Sequence, residues 1–454
     1  MSLNSVMDTS LSAMYAAQAG LSTTSHNIAN AGVAGYTRQM NVLGARQPLM
    51  LSIGAIGQGV DVLTVRRTQD NFLLNSLRAQ VAKGAQYGAM DSALYEIENI
   101  LGSVDNDHLN SAISNFFSSW HELGTQPSAE SLKALVVDNA SSLVTDMRSI
   151  ASSLDELGRT IDGQVEDEIA HLNSLLTQVG ELNSQIMSAE TGGQTANDLR
   201  DLRDTLITDI SSIAAIQVEE RSDGSLDIIL NGRTMVTRDS VQQFTTRLVQ
   251  NSSGYAIEVL TDGNLHDVQL SEGSLRGLLE SRTLVVDDAR TQLNELASTI
   301  INAVNELHVQ GQTGSSSGLL FFTGDGLHNI AVNPMLLEDF TLVATSRSGE
   351  AGDSDIAQAI ADLADHDVPG HNLSINDMYR GVVTNVASRR ASFEFLVDNQ
   401  DLAIEAVEAK IASVTGVSID EEAANMVRYQ NTYNAAARII STVQEMFESL
   451  ISMI

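Results

Sequence analysis

The sequence predicts an α+β chain that is mainly helical, with long terminal coiled-coil helices, a helical-bundle middle domain and an inserted small β domain. Three observations predict it. Apolar residues recur at heptad spacing at both ends of the chain. Helical periodicity fills most of the interior, where prolines are scarce: the whole chain has 4. Only residues 215–270 switch to the alternating apolar–polar pattern of strands, between turn signals.

The N-terminal helix carries Met7, Met14, Leu21 and Ile28 at intervals of seven, on a background of Ser, Thr, Asn, Gln and Ala. Gly32 and Gly35 end it. At the other end, Met426, Tyr433, Ile440, Phe447 and Ile454 form one heptad series. Tyr429, Ala436, Val443 and Leu450 form the second, offset by three, which completes an a/d seam. An amphipathic helix usually docks on its own domain. Here the stripe runs uncapped to the last residue, and a matching stripe lies at the far end of the chain. Alone the C-terminal helix is marginal, because ordering it costs more than one seam returns. The two ends are therefore expected to pair, and covering both sides of the pair needs further copies.

Between the ends, Ser128 after Pro127 reads as an N-cap. Val136, Leu143, Ile150 and Leu157 then interleave with Ala140, Met147, Leu154 and Ile161. The phase slips by one near Gly163 and continues through Val165, Leu172, Val179 and Ile186 towards Gly192-Gly193. This is one long helix or two nearly collinear ones. Further helices are expected over about 197–213, 272–310 and 374–415. In the β stretch, Ile216 and Val218 precede the turn Ser222-Asp223-Gly224, and Leu226, Ile228 and Leu230 alternate up to Asn231-Gly232, a strong hairpin signal. Asn251–Gly254 and Asp262-Gly263 punctuate further strands. Gln310–Gly318 reads as a loop, and strands are expected around Phe321-Phe322 and Phe340–Ala344. The implied organisation is an axial core of paired terminal helices (1–35 and 419–454), a helical middle domain with some β (36–214 and 271–418) and an outer β domain (215–270).

Charge divides the chain in the same way. The formal net charge is −33, yet residues 1–90 carry six basic side chains (Arg38, Arg46, Arg66, Arg67, Arg78, Lys83) against Asp8, Asp61 and Asp70. Residues 425–454 balance Arg428 and Arg438 against Glu445 and Glu448. The nearly uncharged ends suit surfaces that something covers, and the acidic middle suits a solvated exterior. So acidic a chain is a poor nucleic-acid or anionic-lipid binder. No apolar run reaches the length of a membrane span, and the start lacks the basic and apolar regions of a cleavable signal.

Nothing in the sequence asks for catalysis. With no cysteine there is no disulfide framework, thiolate metal site or thiol nucleophile. His121-Glu122 begins like a zinc-protease helix, but Thr125 stands where the second histidine belongs. His366 and His371 straddle Pro369-Gly370, which favours a solvated loop. Asp105-Asn106-Asp107 lacks the glycine and distal glutamate of a calcium loop, and Gly324-Asp325-Gly326 lacks the third glycine of a dinucleotide fingerprint. No catalytic, metal or cofactor-binding residue is therefore assigned.

Leu11-Ser12-Ala13, Ala16-Ala17-Gln18, Leu21, Ser25, Asn27-Ile28-Ala29-Asn30 and Gly35-Tyr36-Thr37-Arg38 resemble the N-terminal signature of the flagellar rod, hook and hook-associated family. Gly57-Gln58-Gly59-Val60-Asp61-Val62, with Arg66-Arg67, Asp70 and Phe72-Leu73, is similar to the segment that follows it. Gly416–Glu422 followed by Tyr429-Gln430 and Tyr433 is similar to the tail of the hook-associated branch, whose Gly-Tyr-Thr-Arg form this chain shares. The resemblance implies a structural subunit at the hook–filament junction, exported without a cleaved signal and working outside the cell. Terminal helices would pack as coiled coils around an export channel, and outer domains would face solvent. It implies as partners further copies of itself, the hook subunit, a second junction protein and a cytosolic export chaperone, with no cofactor, nucleic acid or membrane insertion. A rod, hook or second junction subunit is the alternative within the family, and an extracellular enzyme carried in the β insert a distant one. In residue terms Asn27 and Asn30 would make polar contacts at the helix end, Gly35 would permit a turn beside Tyr36, and Arg38 would anchor it.

Overall fold

The computed structural model describes residues 3–51, 54–102, 108–251, 254–261, 264–267, 270–313, 316–350 and 352–453. The seam position Ile454, the Asp105–Asp107 run and the turn residues Ser252, Ser253, Asp262 and Gly263 lie outside the described residues.

Small and polar residues give the first helix, α1 (Leu3–Asn30), a thin profile. It ends in a turn where Gly35 takes φ +77°, which glycine adopts without the usual steric cost. An antiparallel hairpin follows: β1 (Gln39–Ala45), the short pair β2 (Leu49–Leu51) and β3 (Gly54–Ile56), and β4 (Val60–Arg67), which returns along β1. Its strands escape the period-two pattern because apolar residues fall on both faces: Met40 and Leu43, three apart in β1, are exposed on opposite sides, and the register shift between Val42 and Leu43 interrupts the alternation of β4 at Leu63.

Asp70 caps α2 (Asn71–Leu101) by accepting from the Phe72 and Leu73 amides. After α3 (His108–Thr125), α4 runs unbroken over 61 residues (Glu130–Glu190), so the phase slip near Gly163 is a turn of the buried face rather than a break. Its N-cap is Ala129, which offers no side-chain bond; Ser128 stands one residue too early to cap it. α5 is Asn197–Ile213.

β5 (Gln217–Glu220), β6 (Leu226–Leu230), β7 (Arg233–Thr237) and β8 (Ser240–Val241) form one sheet in that order. Asn231 (φ 47°) and Gly232 (φ 78°) make the two-residue turn between β6 and β7. β9 (Phe244–Asn251), β10 (Gly254–Thr261) and β11 (Asn264–Asp267) form a second sheet with β10 central.

The next helical stretch is not uniform. α6 (Ser274–Glu280) passes through a π-helical turn, Ser281–Val286, into α7 (Asp287–Val309). The wider turn accompanies Arg282 lying against the side of α4. A Cβ at Gly158 of α4 would stand 3.2 Å from the Arg282 Cζ, and Arg282 pairs with Asp287 at 2.5 Å and Asp162 at 3.5 Å. Then come β12 (Gln312–Thr313), β13 (Ser316–Ser317), β14 (Phe322–Thr323), β15 (Ala331–Val332) and α8 (Pro334–Glu338). Phe340–Leu342 is a 3-10 turn rather than the expected strand, because the Asp339 carboxylate accepts from the Thr341 amide (3.0 Å) and starts a turn instead. α9 (Asp355–Asp362), α10 (Ile375–Thr415) and α11 (Ile419–Ser452) close the chain, with α10 packed along α2 and α11 along α1.

The core of the middle region is an aromatic cluster of Phe116, Phe117, Trp120, Phe321 and Phe322, all essentially buried, with Phe321 and Phe322 ring centroids 4.9 Å apart. His308 is buried against it. Its Nδ1 lies 2.7 Å from the Leu319 carbonyl, and its Nε2 accepts from the Ala344 amide at 3.1 Å. Both contacts fit only the neutral ring with its proton on Nδ1. Burial holds its pKa below the ordinary histidine value, against the opposing pull of the Leu319 carbonyl. The unfolded chain therefore takes a proton below ~pH 6.5 that the folded chain refuses. This contribution to stability is full above that pH and is lost as pH falls through it towards the lower folded value. Thermal melts across ~pH 5–8 should show a steeper acid loss for the native chain than for His308→Gln. Parallel curves would mean that carboxylates alone set the slope.

Candidate assembly interface

α1 and α11 run antiparallel. A Cβ at Gly20 would lie 2.6 Å from the Tyr429 ring, and Asn27 meets Glu422 one turn or two further on. Glycine at 20 is what lets the Tyr429 ring lie against the α1 backbone. The residues α1 buries here are small: Ser10, Ser12, Ala16, Ala17, Gly20, Thr24 and Asn27. Ser10, Ala17 and Thr24 form a heptad row three positions after the methionine series, so backbone approach, not bulk, defines this contact.

The seam residues divide accordingly. Met7, Met14, Leu21 and Ile28 are half-buried beside the small-residue row. On α11, Ala436 and Val443 are buried, Met426, Tyr429, Ile440 and Phe447 are half-buried, and Tyr433 and Leu450 are exposed. Tyr15, Val427, Ile439, Met446, Ile451 and Met453 add apolar surface that no other described element covers, from 45% exposed at Ile439 to 79% at Met453.

The base of this hairpin is a polar latch. Asn27 is 1% exposed, and its Oδ1 accepts from the Tyr36 hydroxyl (2.7 Å) and the Gln39 amide (3.0 Å). Its Nδ2 donates to the Gln39 carbonyl (2.9 Å) and the Glu422 carboxylate (3.3 Å). Arg38 donates to the same carboxylate at 2.8 Å, reaches Glu421 at 3.2 Å and gives its amide to the Thr415 carbonyl (2.9 Å) at the end of α10. Asn30 is peripheral, donating to the His26 carbonyl at 3.0 Å. A Cβ on Gly35 would strike Thr205 Oγ1 at 2.5 Å, so the turn is pressed against α5.

α5 supplies the acidic side of the latch. Asp201 accepts from the Thr37 amide (3.0 Å) and hydroxyl (2.7 Å) and pairs with Arg67 at 2.7 Å. Arg67 also reaches Asp204 (2.7 Å), which pairs with Arg78 of α2 at 3.2 Å. Asp198 accepts from Gln39 at 2.7 Å. Burial, then Asp198, Asp201 and Glu422, push the Tyr36 hydroxyl far above the usual phenol range, so it stays a donor. Burial lowers Arg78 below the usual guanidinium value, with Asp204 opposing. α1, β1, β4, α2, α5, α10 and α11 thus meet at one network. Glu422, Asp201, Asp204 and Gly20 were given no role by the sequence pattern. Their only trace was the basic surplus of residues 1–90 facing an acidic remainder, and the Asp-Glu-Glu run that opens α11.

The former metal candidates stay apart. Among the described residues no cluster of three metal-ligating side chains forms, and no helix is long and apolar enough to cross a membrane. His121 is exposed on α3, and the His371 ring has the Thr299 hydroxyl 3.4 Å from its Nε2 and the Glu295 carboxylate 4.0 Å from its Nδ1.

Comparison with known proteins gives a consistent picture. Residues 94–322 match the model of the flagellar hook-associated protein FlgK helical domain. Residues 7–37 match that of the flagella basal body rod protein, and 412–453 that of the C-terminal region of rod FlgEFG proteins. Flagellar hook-associated protein 1 of Bacillus subtilis is 27% identical, over 98% of this chain and 97% of its own length. The protein of the same name from Escherichia coli is 23% identical, over 99% of this chain and all of its own. The solved flagellar hook junction protein FlgK from Burkholderia pseudomallei shares the fold, with a TM-score of 0.64, 14% identity and 75% of this chain covered. With the helical-domain match spanning half of its residues, this chain belongs to the FlgK family of flagellar hook-associated proteins, structural parts of the flagellum and not enzymes.

Proposed function

We propose that the chain is the structural subunit that joins flagellar hook to filament, held there by coiled-coil packing of α1 and α11 with the same helices of neighbouring copies. One observation carries the reading. The α1–α11 hairpin keeps a low-charge apolar surface on faces that the described chain leaves open, at Met446, Leu450, Ile451 and Met453 above all. A solitary soluble subunit gains nothing from such a face, and a subunit with neighbours buries it. The hook subunit and a second junction protein would flank the assembly along its axis, and an export chaperone would cover the same helices before secretion to the outside of the cell. The domain plan follows: helices 1–35 and 419–454 as axial core, 36–214 and 271–418 as the middle layer, and 215–270 outermost in solvent. Electron microscopy of purified bare hooks incubated with the chain tests this. Added density should cap the distal end only, with the hairpin innermost. Hooks left bare, or decorated along their sides, would overturn the assignment.

A further inference from the structure

We propose that Met446 of α11 is an oxidation-sensitive site: its sulfoxide keeps a free subunit out of the assembly, and assembly in turn shields the sulfur. The inference rests on the reading that the open face of α11 packs against neighbouring copies. Four residues define that face. Ile439, Met446, Leu450 and Met453 follow one another at intervals of seven, four and three, so at ~100° per residue they fall within an arc of about 60°. All four are exposed in the single chain, Met446 at 50% and Met453, just past the helix end, at 79%. The stripe borders Val443, which the single chain already buries.

Oxidation at sulfur falls on methionine in this chain, because no cysteine is present to take up an oxidant first. Burial sorts the methionines. Met90, Met147 and Met235 are buried in the core, and Met7, Met14 and Met426 of the terminal hairpin are half-buried. Met40, Met50 and Met335 are exposed, but they lie on β1, β2 and α8, off the stripe. Met446 and Met453 alone among these combine an open thioether with a place in the apolar face of α11.

The oxidant is a hydroperoxide, of which hydrogen peroxide is the simplest. Its O–O bond breaks as the thioether sulfur bonds one oxygen. The sulfur loses two electrons, and the departing hydroxide takes the proton of the transferred oxygen and leaves as water. A flexible apolar side chain becomes a polar one that accepts hydrogen bonds, and a methionine sulfoxide reductase reverses the change. The stripe offers no donor to meet the new oxygen, since Ile439, Val443 and Leu450 surround it. Water meets it on the free subunit, so the single chain stays folded. Packing against a neighbour removes that water. One buried acceptor left unmet corresponds to roughly tenfold to hundredfold weaker association at each contact, and every copy in a ring repeats the loss.

The test treats purified chain with hydrogen peroxide, maps the sulfoxides by peptide mass spectrometry and adds the chain to bare hooks, each sample being compared with its own untreated control. Native chain carrying the Met446 sulfoxide should assemble roughly tenfold less or worse, and treatment with a sulfoxide reductase and a thiol reductant should restore it. The triple variant Met40→Leu, Met50→Leu and Met335→Leu removes exposed sulfur off the stripe and should lose assembly on oxidation as the native chain does. Met446→Leu with Met453→Leu should abolish the sensitivity. Peroxide added after assembly should oxidise Met446 roughly tenfold more slowly than in the free chain, because the packed face excludes it. If the double variant fails to assemble even untreated, the triple variant and the shielding measurement still decide. Full assembly of chain bearing the Met446 sulfoxide, resistance of the triple variant, undiminished sensitivity of the double variant, or a Met446 that stays a thioether while Met50 is oxidised would each overturn the inference while the junction reading stands. An unchanged oxidation rate after assembly would place the Met446 face in water and overturn the packing of α11 as well. If untreated native chain fails to assemble on hooks, the junction reading fails first and this inference with it.

Discussion

Asn27→Leu is expected to detach the terminal hairpin from the rest of the chain. Leucine keeps the size of the side chain but not its four hydrogen bonds. The Tyr36 hydroxyl and the Gln39 amide lose their acceptor, and the Gln39 carbonyl and Glu422 lose a donor. A buried polar group left unmade costs ~1–3 kcal/mol. Glu422 keeps Arg38, and a loosened loop admits water, so the sum falls short of four full penalties. About 3–5 kcal/mol is expected in the opening of this region. The loss is local, because the aromatic core around Trp120 is built from other elements. Hydrogen exchange should accelerate in residues 20–40 and in the first turns of α11, while the main thermal transition holds. Asn30→Leu is the internal comparison: that side chain is half-buried and bonds mainly within its own helix turn, so its effect should stay within ~1 kcal/mol. Equal effects at the two positions would show that the latch does not hold the hairpin.

That contrast marks what a sequence can say. Asn27 and Asn30 stand three apart in one motif, and both read as polar contacts at a helix end. Which of them is buried depends on where α5 and α11 come to rest, residues that lie more than 160 positions away. Helix periodicity was legible over α4, α5, α10 and α11 because each turns one apolar face, buried along α4 and α5 and largely half-buried along α10 and α11, towards its neighbours. The β1–β4 hairpin was not, since its apolar residues point both ways. The seam of α11 was visible as large residues at heptad spacing. Its complement on α1 was not, because Ser10, Ala17, Gly20 and Thr24 carry no hydrophobic signal; they matter by letting backbones approach. The π turn at Ser281–Val286 was equally silent, as the contact it accompanies, Arg282 against Gly158 and Asp162 of α4, lies across the interface.

Ile440→Asp and Phe447→Asp are expected to abolish junction assembly while leaving the isolated chain folded. Both side chains are half-buried in the single chain, so a carboxylate there can still turn to water. The cost before assembly is therefore expected to be about 1 kcal/mol. Packing by neighbouring copies closes that route. The carboxylate must then lose its hydration without a cation from its own helix, since Arg428 and Arg438 lie far back along α11 from Phe447, and Arg438, two residues before Ile440, is exposed on a different face of the helix. An unpaired buried charge costs several kcal/mol, and a ring repeats that cost in every copy. Val443→Asp separates the two effects. Val443 is 3% exposed within the single chain, so there the same charge should loosen the α1–α11 pair before any neighbour arrives. Circular dichroism and melting should find Ile440→Asp close to the native chain and Val443→Asp less helical. Cells carrying Ile440→Asp should release filament subunits into the medium as monomers, because no junction forms to seat them. Normal filaments on such cells would mean that the Ile440 face stays in water, and that the apolar surface of α11 serves some purpose other than packing between copies.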